Sequence, residues 1–170
     1  VTVKIQDNSN KSLVSIDDWG DIEWKSMSGF AANCQQLSAI PKDAPDLSHV
    51  TDMRLAFAFT NFFNQPIGHW NVSHVKNMYK MFDHARSFNQ PLNQWDVFNV
   101  KDMSFMFHAS NFNQPIDNWN VSNVKDMSFM FEFAKAFNQP IGNWNVSRVE
   151  DMRGMFGSAK VFNQPLGNWN

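Results

Sequence analysis

One phrase, repeated along the chain, restricts the fold more than any local preference does. Phe63 to Ser87 reads FNQPIGHWNVSHVKNMYKMFDHARS, close copies begin at Phe88, Phe112 and Phe137, and a fifth reaches only Asn170. The period is 25 residues, with one copy of 24. A tandem repeat of this length predicts a solenoid, because each copy is one coil that buries its apolar side only by stacking on its neighbours.

Two rhythms run inside a copy. Ile67, Trp70 and Val72 are spaced L-x-x-L-x-L, and Trp70 and Val72 alternate with polar His69, Asn71 and Ser73, a pattern that predicts a strand. Val75, Met78, Met81, Phe82 and Ala85 then recur at three- and four-residue steps, which predicts a short helix or 3₁₀ segment. The expected fold class is therefore an α/β solenoid of leucine-rich type. Strands at Ile22 to Trp24, Trp70 to Val72, Trp95 to Val97, Trp119 to Val121 and Trp144 to Val146 form one parallel β-sheet, with the helical segments opposite. The residue missing from the short copy is assigned to the helical part, between Phe107 and Ala109. Phe88-Asn89-Gln90-Pro91 and its copies end each helical segment, since proline cannot continue it.

The whole chain, 1–170, reads as a single domain: an N-terminal cap at 1–12, divergent repeats at 13–62, regular repeats at 63–161 and a truncated repeat at 162–170. Val1 to Gln6 alternates apolar and polar residues, which predicts an atypical first strand, and Asp7 to Ser12 is turn-like. The break after Trp169, in mid-strand, points to a fragment of a longer array. Charge is nearly balanced, 14 Lys and Arg against 16 Asp and Glu, so nothing favours nucleic acid or an anionic membrane. The lone Cys34 excludes an intrachain disulfide framework and reads as a small core residue. No apolar run is long enough to insert into a membrane, and Val1 to Asn10 has no signal-peptide pattern.

The phrase W-x-V-S-x-V-x-D-M-x-x-M-F-x-x-A-x-x-F-N-Q-P resembles the repeats of the BspA-like leucine-rich-repeat surface proteins of bacteria, over roughly Leu13 to Asn170. The resemblance implies a right-handed coil, an extracellular or cell-surface location, and adhesion to a protein or glycan.

Outward positions of the predicted strands form columns: His69, Gln94, Asn118, Asn143 and Asn168; Asn71, Asp96, Asn120, Asn145 and Asn170; Ser73, Phe98, Ser122 and Ser147. Such columns serve either as amide ladders that brace the solenoid or as a polar recognition face. Asp96 and Phe98 break the pattern, which makes His69, Asn71, Gln94, Asp96, Phe98, Asn118 and Asn120 the candidate partner-binding patch. Phe105, Phe129 and Phe133 on the helical side form a second candidate patch, or else stack to shield the back of the array. His49 and His74 share a column but lack a third ligand, and the Asp52, Asp102, Asp126, Asp151 column lies beside lysines, so neither makes a metal site. No nucleophile with its base, carboxylate pair, glycine-rich phosphate loop or zinc helix is present, and no cofactor is expected. The function expected is non-enzymatic: a recognition module, with a structural spacer array as the alternative.

Overall fold

The structure, a computed structural model, describes residues 3–5 and 13–169. Successive copies stack as coils, and the backbone bonds that join them fall one repeat apart. The N–H groups of Met53, Leu55, Phe57 and Phe59 donate to the carbonyls of Asn77, Tyr79, Met81 and Asp83, at 2.7–2.9 Å. Met78, Lys80, Phe82 and His84 repeat this towards Asp102, Ser104, Met106 and His108.

This ladder overturns the expected α/β architecture. Among the described residues there is no helix and no parallel sheet. The only strands among the described residues are β1 (Val3–Ile5) and β2 (Leu13–Ile16), an antiparallel pair at the N-terminal end. The coils meet in single parallel bridges that run Asp52, Asn77, Asp102, Asp126, Asp151 through the stretch read as helical. In that stretch alternate N–H groups cross to the next coil, while intervening ones close tight turns, as Ala56 N to Met53 O and Ala58 N to Leu55 O, both 3.2 Å. Neither a helix nor an extended strand can be continuous there, because two residues per coil have left-handed backbone: Leu55 and Phe59, Lys80 and His84, Phe105 and Ala109, Phe129 and Phe133. The three- and four-residue spacing thus marks the inward side of a chain of turns. Val75, Met78, Met81, Phe82 and Ala85 are all buried.

The five segments read as strands are turns and irregular chain. Trp70, Trp95, Trp119 and Trp144 are buried, and what links these segments from coil to coil is side-chain bonding. The indole N–H of Trp95 donates to Ile67 O, that of Trp119 to Leu92 O and that of Trp144 to Ile116 O, at 2.9–3.1 Å. In the first of these segments Ile22 points outward, 42% exposed.

Two phenylalanine columns fill the core. Phe57, Phe82, Phe107, Phe131 and Phe156 stack from coil to coil with ring centres 5.6–5.9 Å apart. Within each coil one of them also stacks on the phenylalanine of the FNQP motif, as Phe82 on Phe88 at 4.2 Å. The asparagine of that motif explains its recurrence: Asn64 Oδ1 accepts the backbone N–H of Asn89, and Asn89, Asn113 and Asn138 do the same for Asn113, Asn138 and Asn163. A turn that would leave one backbone donor per coil unpaired is thereby satisfied. At the N-terminal end β1 pairs with β2, and β2 joins the first coil by Ile16 N to Ala39 O and Ser38 N to Val14 O. The turn expected over Asp7 to Ser12 lies outside the described residues. No helix of the described residues is long and apolar enough to cross a membrane.

Candidate functional site

The residue after Ala56-Phe57 and after each later Met-Phe pair changes from coil to coil: Ala58, Asp83, His108, Glu132, Gly157. The inter-coil bonds place these in one column, so Asp83, His108 and Glu132 lie on three successive coils. The Asp83 side chain is only 2% exposed. Its Oδ1 lies 2.5 Å from His84 Nδ1 and 2.7 Å from His108 Nδ1, so the ionised carboxylate accepts from both imidazoles. His108 Nε2 faces Glu132 Oε2 at 3.5 Å, and Lys80 Nζ stands 3.9 Å from Asp83 Oδ2. Burial raises the Asp83 pKa, but the hydrogen bonds from His108 and His84 and the attraction of their charge outweigh it and hold the carboxyl below its usual range. His84 stacks on Phe59 with ring centres 4.8 Å apart, and Phe133 meets His108 edge-on at 5.8 Å.

A recess of about 510 Å³ opens beside this cluster, lined by His84, Arg86, His108, Ala109, Asn111, Phe133 and Lys135. The short copy shapes it. Ala109 has the left-handed backbone of His84 and Phe133, so the chain keeps register through His108 and Ala109 and loses its residue later. Asn111 alone spans the turn for which neighbouring coils use Arg86-Ser87 and Lys135-Ala136. The deletion therefore lies after Ser110, and not between Phe107 and Ala109. It leaves a notch flanked by two exposed cations and by Phe133, which is 46% exposed.

Among the described residues, Asp83, His84 and His108 are the group whose possible metal-ligating atoms converge, all within 4.8 Å of one another. His49 and His74 are exposed, and His49 faces Glu23 at 3.6 Å. The aspartate column closes local turns: Asp52, Asp102, Asp126 and Asp151 each accept the N–H of the residue two positions on.

Residues 25–115 and 108–170 match the family described as Mycoplasma protein of unknown function, DUF285. The chain belongs to this family. No curated protein and no solved structure matches it.

The seven residues of the first patch, His69, Asn71, Gln94, Asp96, Phe98, Asn118 and Asn120, are all exposed, on turns and the irregular chain between them. Asn71 Oδ1 accepts from the N–H and hydroxyl of Ser73, and Asn120 does the same for Ser122, so this column closes local turns. Asn118 instead bonds across to Asn93 O at 2.7 Å. Phe98 sends its N–H to Asp96 but has no hydroxyl to add, and its ring is 45% exposed. In the second patch Phe105 and Phe129 stack at 4.7 Å, capped by Lys80 and Arg153 over their faces. The Phe129 ring covers Gly154, where a Cβ would come within 2.5 Å of it. Phe133 stays apart, with the histidine cluster. Sequence reasoning missed that cluster because it sought histidines in one column, whereas His84 and His108 meet from adjacent columns. The signal available was the run Asp83-His84 followed one copy later by His108, at positions where the repeat holds no fixed residue.

Proposed function

We propose that this chain is a non-enzymatic recognition module that acts outside the cell, binding a protein or glycan in adhesion. The resemblance of its repeat phrase to bacterial surface repeats supports the location. The observation that carries the reading is Phe98. Its neighbours along the column, Ser73 and Ser122, turn their hydroxyls back to Asn71 and Asn120 at 2.7 Å, whereas Phe98 presents an apolar ring to solvent beside Asp96. An exposed ring contributes nothing to the core and is the kind of residue that anchors an interface. The spacer reading has its own support in the asparagine ladder, which satisfies polar groups within the chain and leaves them no partner to seek.

The test is an array of extracellular glycans and matrix proteins probed with the whole chain, each hit being remeasured with Phe98→Ser. That substitution supplies Asp96 with the hydroxyl donor its neighbours have, so stability should hold or rise by up to about 1 kcal/mol. Binding should weaken by about 1 kcal/mol or more. Saturable binding that Phe98→Ser leaves unchanged moves the contact away from this patch, and an array without any saturable binding favours the spacer.

A further inference from the structure

We propose that Asp83, His84 and His108 form a binding site for a divalent late transition ion of the zinc class, with Glu132 orienting His108 from behind. This stands on the cluster alone, whether or not Phe98 anchors a partner. Two imidazole Nδ1 atoms and a carboxylate oxygen converge on one point from two coils, at 2.5 and 2.7 Å. Two nitrogens and a carboxylate are one of the donor sets zinc takes, that of sites with three protein ligands and a fourth position left open. Calcium asks for six to eight oxygens, which these residues do not offer.

The present distances are those of hydrogen bonds, and co-ligands of a tetrahedral ion stand about 3.3 Å apart given bonds of about 2.0–2.1 Å. The rings must therefore retreat by roughly 0.6–0.8 Å. His84 is a third exposed and lies flat on Phe59, over which it can slide. An imidazole that gives its Nδ1 to the ion carries its remaining proton on Nε2. For His108 that proton then points at Glu132, 3.5 Å from Nε2 before binding. A carboxylate that accepts the far N–H of a ligating histidine fixes the tautomer and raises the ligand's basicity. Glu132 stands where this role requires it. Lys80, which would compete for Asp83, is also drawn over the Phe105 ring at 4.9 Å.

The repeat itself supplies substitutions that keep the fold. His84→Phe installs the residue of Phe59 and Phe133, and His108→Ala that of Ala58. Zinc chloride titrated calorimetrically into the whole chain should bind at one equivalent. Cobalt chloride should give the intense visible absorption of a four-coordinate ion. Glu132→Gln should weaken zinc about 10-fold or more, and His84→Phe and His108→Ala should each weaken it further. All three variants should melt cooperatively without metal, and His74→Ala should bind as the parent does. The proposal is overturned if zinc does not saturate at one equivalent, if His84→Phe and His108→Ala bind as tightly as the parent, or if calcium binds as tightly as zinc.

Discussion

Replacing Trp119 and Trp70 by phenylalanine separates the indole hydrogen bond from the ring that carries it. Both side chains are buried at the same position of regular coils, with the coil of Trp95 between them. Trp119 Nε1 donates to Leu92 O at 2.9 Å, whereas Trp70 Nε1 is buried without a partner among the described residues. The coil before Trp70 is the divergent one, where Ile40-Pro41-Lys42 stands in place of the FNQP-Ile turn. In Trp119→Phe one hydrogen bond is lost, and Leu92 O keeps the backbone N–H of Trp95, so the polar cost is about 1 kcal/mol. In Trp70→Phe a buried unpaired donor is removed, which returns about 1–3 kcal/mol. Each ring is nearly fully buried against two aromatic neighbours, Trp19 and Phe57 for Trp70 and Phe107 and Trp144 for Trp119, so the cost of the smaller ring is similar in the two variants and the comparison largely cancels it. Trp119→Phe should therefore be the less stable of the two by roughly 2–4 kcal/mol. Urea denaturation followed by circular dichroism reads this difference, with equal slopes confirming that the unfolded states match. If Trp70→Phe loses as much stability as Trp119→Phe, within about 0.5 kcal/mol, indole-to-carbonyl bonds do not tie the coils together and the reasoning fails.

Two further substitutions probe the backbone. Asn113 Oδ1 accepts from Asn138 N and Gln139 Nε2, both at 2.9 Å, so Asn113→Ala should cost about 1–3 kcal/mol. Asn163→Ala, at an exposed site whose side-chain oxygen holds no donor among the described residues, should stay within about 0.5 kcal/mol by the same denaturation assay. Ser158 is exposed with φ of 57°, so Ser158→Gly relieves left-handed strain and should raise stability by up to about 1 kcal/mol, net of glycine's greater freedom when unfolded. A fall in melting temperature for that variant would contradict the left-handed backbone.

The sequence by itself determined which residues face inward. Trp70, Val72, Met78 and Phe82 recur at a fixed period, burial follows from that period, and the repeat requires coil to stack on coil. It did not determine how the backbone travels between those residues. Spacing of three and four is shared by a helix and by a run of turns, and the choice fell to left-handed conformations at Leu55, Phe105 and Phe129, residue types whose local preference gives no hint of them. Those conformations persist because alternate N–H groups find carbonyls on the next coil, a partnership between residues some 25 apart that exists only after stacking. The same holds for the histidine cluster. Asp83, His108 and Glu132 are neighbours because the short copy loses its residue after Ser110, and only the register of the stacked coils shows where the loss falls.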